Sequence, residues 1–399
     1  MNRVSIFFLA VLTFTACNNN KEQTVNSHTP TEHHQSLLIK TDSIKKFFLD
    51  EETKYNLNYL YFFEDKSIEY LAFLNYSLNQ ILFYDFKTCE LERKISLEKE
   101  GPKGIGVASG LYIKDFDNIY ISSYVFPGLI KIDKEGNIIQ KIAYGKTPDG
   151  YQILPSYAPS SYPSLEPVIL DNTMFISQKF AAQFNEAEKT PLTVSVDTIS
   201  GSCMSYPLNF NIFKQNDNPH KITSTLYSRI YNDNTFIYSP FTDDFIYIAS
   251  IDHSKIKKIK VKSKYIEDSS IEQTRNPQKG AKENLELPRY GNLIYDKYRN
   301  VYYRFAYHKT VLEDDINWVG RAVYGRKKFS VIILDDNFQV IGETLFPEGI
   351  YNSYVSFVHE DGLYISKDYQ MNFEQSEDFA TFELFRLKKH IELNNKSNL

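Results

Sequence analysis

The sequence predicts an all-β fold: a six-bladed β-propeller of four-stranded antiparallel blades, closed into a ring by an N-terminal strand. Three observations carry this. A short run of the Asn-Ile-Tyr-Ile-Ser type recurs at Asn118 to Ser122, Thr173 to Ser177, Thr235 to Ser239, Asn300 to Arg304 and Gly362 to Ser366, with a degenerate first copy at Ile68 to Phe73. Internal repetition of small sheets is the mark of a propeller. Between the copies the apolar runs keep strand length, Asn, Asp and Gly occupy the joints, and no long helical period intervenes. Finally, the last copy supplies three strands where the others supply four, while extended segments stand ahead of the first copy.

From the N-terminus, Arg3, the apolar Val4 to Leu12 and the small-residue site Phe14-Thr15-Ala16-Cys17 read as an export signal over residues 1–16. The apolar stretch is too short to span a bilayer as a mature helix. A cysteine directly after the small residue resembles the bacterial lipobox, which implies acylation of Cys17. Residues 17–36 are polar and without period, a tether from the lipid. His28, His33 and His34 lie in it, and a linker without fixed geometry does not make a metal site.

Residues 37–390 form the propeller. Leu37 to Lys40 and Ile44 to Leu49 are the segments expected to complete the last blade. The copies run Tyr59 to Leu97, Gly110 to Ala143, Pro167 to Leu208, Tyr227 to Val261, Tyr290 to Phe346 and Tyr354 to Lys388, and residues 391–399 are a polar tail. The second copy is the clearest, with strands at Gly110 to Ile113, Ile119 to Ile121, Leu129 to Asp133 and Ile138 to Ala143, and Gly136 suited to positive φ in the last hairpin. Seven blades of ~50 residues would also fit the length, but the shorter WD-type repeat and its Trp-Asp signature are absent.

Composition narrows function. Lys and Arg number 45 against 50 Asp and Glu, and loss of a leader carrying Arg3 makes the net charge of −5 one unit more negative. An acidic body disfavours nucleic acid, whose binding rests on neutralising phosphates. With 30 Tyr and 29 Phe the chain can build a large core. Cys89 and Cys203 fall in copies that are not neighbours and are expected to stay unpaired.

In a propeller whose innermost strand comes first, the inter-blade connections and the links between second and third strands emerge on one face. The long connections obey that division: 98–109, 145–166, 209–226 and 262–289 between blades, and 178–191, 305–328 and 367–380 within them. That mouth is the expected binding face. Alignment puts Ser122, Ser177, Ser239 and Ser366 at one equivalent place on it, with Arg304 in copy five. Such a set could offer a fork of donors to an anion, carboxylate or sugar; equally, Ser can simply end a strand. The loop after Arg304 carries His308, Trp318, Arg321, Tyr324 and Arg326, residue types that anchor protein or sugar partners. The segment 145–166 sets Tyr151, Tyr157 and Tyr162 among prolines, which suits recognition or packing over a blade.

No catalytic signature is present: no G-x-S-x-G, H-E-x-x-H, CxxC pair or phosphate-cradling glycine loop. Asp115/Asp117 and Asp335/Asp336 sit in turns, where local hydrogen bonding accounts for them. No cofactor or metal is expected.

The leader, the loop Glu100-Gly101-Pro102-Lys103-Gly104-Ile105-Gly106 and the recurring IYIS and KIDKEGNI strands resemble the six-bladed propeller lipoproteins of a domain-of-unknown-function family, related to NHL-like and TolB-like propellers. The resemblance implies the fold and a lipid-anchored address in the bacterial cell envelope, on the periplasmic or outer-membrane surface side. It brings no catalytic residues. The expected function is a membrane-tethered, noncatalytic binding or scaffold propeller. It would act as a monomer, touch the membrane only through its lipid, and engage a protein, peptide or glycan at the long-loop face. The alternative is a propeller hydrolase or lyase on sugar or peptide, with Arg304 and His308 at the ring mouth.

Overall fold

The computed structural model describes residues 23–26, 36–53, 59–153, 159–160, 162–178, 189–215, 218–222, 226–267, 282–283, 285–313, 325–369 and 376–389. Six four-stranded antiparallel sheets stand around a common axis. In chain order the strands are β1 (Gln23–Asn26) and β2 (Leu37–Phe48); β3 (Leu60–Asp65), β4 (Ile68–Asn75), β5 (Gln80–Asp85) and β6 (Leu91–Ser96) in blade 1; and β7 (Ala108–Asp115), β8 (Asn118–Ser123), β9 (Gly128–Ile132) and β10 (Ile138–Ala143) in blade 2. Blade 3 holds β11 (Val168–Leu170), β12 (Thr173–Ser177), β13 (Thr193–Asp197) and β14 (Cys203–Ser205), followed by the short hairpin β15 (Lys214–Gln215) and β16 (Asn218–Ile222). Blade 4 holds β17 (Tyr227–Asn232), β18 (Thr235–Pro240), β19 (Phe245–Ser250) and β20 (Ile256–Lys260); blade 5 holds β21 (Arg289–Asp296), β22 (Val301–Tyr307), β23 (Phe329–Leu334) and β24 (Val340–Leu345). Blade 6 is β25 (Asn352–His359), β26 (Gly362–Ser366) and β27 (Phe379–Lys388), completed by β2.

The recurring run is the second strand of every blade, and its composition explains its place. In β22 all seven side chains are buried, and in β26 all five, because a second strand is covered by a neighbouring blade on each face. The outermost strands alternate instead: β10 reads half-buried, exposed, half-buried, exposed, buried, exposed. The turn chemistry follows the sequence, with Gly136 at φ +85° in the β9–β10 hairpin. Asp115 accepts from the Asp117 N–H (3.0 Å) and Asp335 from the Asn337 N–H (3.0 Å), so these aspartates brace their own turns. Cys89 and Cys203 are free thiols.

Ring closure joins the chain ends. β2 pairs antiparallel with β27 from Leu37 opposite Lys388 to Phe48 opposite Phe379, with one irregularity between Lys40 and Ile44. It is therefore one strand with a bulge. Phe47 points into the core between Tyr84, Phe86 and Phe382. Where the chain enters, the Ser36 N–H donates to Ile341 O (2.8 Å). A Cβ at Gly342 would stand 1.8 Å from Ser36 O, so the seam between blades 5 and 6 needs glycine there.

Two features depart from expectation. Gln23 to Asn26, inside the segment read as an aperiodic tether, form β1 and pair in parallel with β20 as a fifth strand of blade 4. The outer edge of a blade carries unpaired N–H and C=O groups, and an extended segment of any sequence can satisfy them. The connection 209–226 also contains a 3-10 turn over Phe210–Phe213, whose rings pack on Tyr227 and Tyr247.

Candidate functional site

Connectivity puts the starts of first and third strands and the ends of second and fourth strands on the long-loop face, and the 1–2 and 3–4 hairpins on the opposite, tight-turn face. The residues singled out in the sequence fall into three groups on this frame. Cys17, Tyr157, Trp318, Arg321 and Tyr324 lie outside the described residues. The serine row and Arg304 are at the long-loop end but buried, and His308 and Tyr162 are packed inward.

Arg304 is fully buried at the seam between blades 5 and 4. Its Nε donates to Ser239 Oγ (3.0 Å), Nη1 to Val261 O (2.7 Å), and Nη2 to Pro240 O (3.1 Å) and Asp243 O (2.6 Å). The guanidinium lies 3.6 Å from the centroid of the Tyr290 ring. Burial lowers its pKa, while Tyr290, Asp244 and Asp243 oppose the shift. The expected fork of donors facing a ligand is thus corrected: carbonyls at strand ends of blade 4 lack ladder partners, and one planar five-donor group satisfies several at once. Arg229 repeats the device one seam earlier, donating to Thr193 Oγ1 (2.9 Å), Glu166 O (2.9 Å) and Phe175 O (3.1 Å) of blade 3 and its lead-in.

Of the serines, Ser239 accepts from Arg304 and Ser366 Oγ donates to Asp368 Oδ2 (2.8 Å). Ser122 Oγ and Ser177 Oγ are buried without a hydrogen-bond partner. Equivalent positions in the repeat do not converge on one site, because each belongs to a different seam.

His308 sits in a buried chain in which Ser330 Oγ meets both His308 Nε2 (2.8 Å) and Glu343 Oε1, and Ser263 Oγ donates to Glu343 Oε1 (2.6 Å). In a nucleophilic triad the histidine bridges serine and acid. Here the serine stands in the middle, donating to the carboxylate and accepting from the imidazole, so the imidazole does not draw its proton. Burial takes His308 down to about 4, with Lys328 and Arg326 adding to it. The geometry gives His308 a structural place rather than that of a general base.

Tyr162 closes the mouth above blades 4 to 6. Its ring stacks on Tyr354 (centroids 3.6 Å, 12° between planes) and lies 6.0 Å from Phe241. The Ser164 N–H donates to Asn292 Oδ1 (3.1 Å), and Ser164 O accepts from the Arg229 N–H (2.8 Å). The segment is thus tied at Ser164 to the inner strands of blades 4 and 5.

Among the described residues, the long-loop face carries an open cleft between blades 2 and 3. The cleft, of about 850 Å³, is framed by 149–152 from the inter-blade connection, 189–191 ahead of β13 and 205–209 after β14. Tyr151 and Tyr206 supply rings, Asp149 and Lys189 charges, and Gln152 and Asn209 amides. Thr147 and Ser205 hydroxyls donate to Asp149 and hold its pKa below the usual carboxylate value, so it is ionised at neutral pH. The Tyr151 hydroxyl donates to Gln178 Oε1 (3.1 Å), which fixes its ring against blade 3. Beside the cleft, at blades 1 and 2, Tyr76, Leu78, Tyr124 and Val125 are exposed on the same face. Sequence reading flagged Tyr151 alone among the cleft residues, through the Tyr/Pro spacing; the others come from segments far apart and carry no common motif.

A family model described as Domain of unknown function (DUF4221) matches residues 36–345. Among solved structures, a DUF4221 member from Bacteroides vulgatus ATCC 8482 is similar at a TM-score of 0.78 and 27% identity, over 89% of this chain and 99% of that one. A protein from Bacteroides fragilis NCTC 9343, provisionally described as exported, is similar at a TM-score of 0.53 and 11% identity, over 92% and 99%. At that identity the likeness speaks for the fold alone. No curated protein matches the sequence. The repeat, the ring closed by β2 and a family match over most of its length lead to one conclusion: the chain belongs to the DUF4221 family, and its fold is a six-bladed propeller.

Proposed function

We propose that this protein is a noncatalytic binding propeller, tethered to the cell envelope through Cys17, that engages a glycan, peptide or protein at its long-loop face. The cleft of about 850 Å³ between blades 2 and 3 is the observation that carries the reading. Its size suits a small ligand or a short stretch of a larger one. Its lining joins two aromatic rings to an ionised carboxylate, an ammonium and two amides, a mixture that serves hydroxyl-rich or backbone-rich ligands. The neighbouring exposed Tyr76 and Tyr124 offer a macromolecular partner further contact.

The test is calorimetric titration with a panel of neutral oligosaccharides and extended peptides, on the native protein and on an Asp149→Ala/Tyr206→Ala variant. Binding of one class by the native protein, weakened at least about tenfold in a variant with unchanged melting, is the expected result; tenfold corresponds to ~1.4 kcal/mol. Binding undiminished in the variant, or release of a reaction product during titration, overturns it. Anchoring is checked separately, since Cys17→Ala should move the protein from the membrane to the soluble fraction.

A further inference from the structure

We infer that the lysine-rich outer side of blade 4 is the side of the propeller that lies against an anionic membrane, with the tight-turn rim of that blade nearest the anchor. Which way the membrane lies rests on the tether reading above; the charge of the edge stands independently of it.

β20, the outermost of blade 4's own four strands and flanked by β1, carries with its neighbouring residues Lys255, Lys257, Lys258, Lys260, Lys262 and Lys264, and from residue 252 to 267 only Asp252 and Glu267 are acidic. This concentration occurs in a chain whose net charge is −5. Five of the six lysines are exposed; the half-buried Lys258 lies over the rings of Phe245 (4.2 Å) and Tyr247 (5.3 Å). Lys262 Nζ donates to Glu267 O (3.0 Å) and stands 4.0 Å from Asp244. Side chains alternate along a strand, so the charges fringe both sides of the edge. Clustered lysines close to a membrane are attracted by anionic headgroups, each by ~1 kcal/mol.

Strand direction gives the orientation. β20 rises from the tight turn at 251–255 toward the long-loop face, and β1 runs parallel to it, Gln23 opposite Lys257 and Asn26 opposite Lys260. The N-terminal end of β1 thus lies toward the tight-turn face. The second entry agrees, because Ser36 bonds to Ile341 near the tight-turn end of β24 and β2 rises from there. The six residues from Cys17 to Gln23 reach at most ~20 Å. An anchor at Cys17 accordingly holds the tight-turn rim of blade 4 close to the bilayer. On that face Ile199, Ile251 and Tyr298, at the hairpins of blades 3, 4 and 5, are 76%, 37% and 42% exposed. Apolar and tyrosine side chains beside a basic edge suit the headgroup boundary.

The test is lysine footprinting by acetylation and mass spectrometry on the full-length protein, in detergent and with vesicles of phosphatidylcholine alone or containing phosphatidylglycerol. At least threefold protection of Lys255, Lys257 and Lys260 is expected with phosphatidylglycerol, reversed by high salt, with Lys146 and Lys189 on the long-loop face unchanged. Lys257→Glu/Lys260→Glu should abolish the dependence on phosphatidylglycerol. Equal labelling in all three conditions, the same protection in phosphatidylcholine alone, or protection centred on Lys146 and Lys189 overturns the inference. Flotation with the vesicles reports the anchor separately, and a protein that fails to float can still show or lack the footprint.

Discussion

Replacing Arg304 separates a rivet between blades from a ligand-binding arginine. The side chain makes four hydrogen bonds of 2.6 to 3.1 Å to Ser239 Oγ, Val261 O, Pro240 O and Asp243 O, with Tyr290 covering the guanidinium. Bonds to a charged group contribute ~1.5–3 kcal/mol each, but they act as a unit and offset the cost of burying the charge. Removing one side of such a buried arrangement costs about 3–5 kcal/mol, much of it from the acceptors left unpaired. Arg304→Met, which keeps the bulk, should therefore lower stability by ~3–5 kcal/mol. Arg304→Lys should recover less than half, because an ammonium cannot place donors in a planar fork. Ser239→Ala, which removes one acceptor, should cost only ~1 kcal/mol. The assay is urea unfolding followed by tyrosine and tryptophan fluorescence, with the midpoint shift read at constant slope. A loss below ~1 kcal/mol for Arg304→Met, or lost ligand capture at an unchanged midpoint, would refute the structural assignment.

Deleting residues 37–50 should abolish the cooperative unfolding transition of the whole ring rather than trim it, because β2 supplies the outer strand of blade 6 and so ties the N-terminal segment to β27; a circular dichroism melt matching the native one would sink the closure model. Stability should also fall as pH drops from ~6.5 toward 4. Burial takes both His253 and His308 down to about 4, against an ordinary value of 6.5, so the folded protein keeps them neutral while the unfolded chain takes up protons. Their contribution is complete above ~6.5 and lost through that window. Asp368 acts in the opposite sense, since burial raises its pKa and its charged form costs stability as pH rises. A His253→Gln/His308→Gln variant should flatten the fall in urea midpoint between pH 7 and 4, and an unchanged slope would exclude the pair as its source.

The two sides of the reading differ in kind. Blade number and strand order were legible because a second strand, covered by neighbours on both faces, must be apolar along its length, and that requirement repeats with every blade. Turn positions were legible for the same local reason, as Gly136 and Asp335 show. The site was not. Arg304 broke a row of serines and invited a ligand, yet what it satisfies are carbonyls of Pro240 and Asp243, some sixty residues away, whose lack of ladder partners cannot be read from composition. Tyr162 looked equally suited to recognition and to packing, and only the position of Tyr354 across the axis decided for packing.

The lysine run from 255 to 264 shows the division most plainly. The sequence by itself determined its charge and its place on the fourth strand of a blade. Tertiary structure alone decided that Gln23 to Asn26 lie along this strand in parallel, with the N-terminal end of β1 toward the tight-turn face. The physical reason is the range of the interactions: strand and turn preferences act over a few residues and leave a local imprint, whereas seam hydrogen bonds, axial stacking and edge pairing join residues whose neighbourhood exists only once the ring has closed.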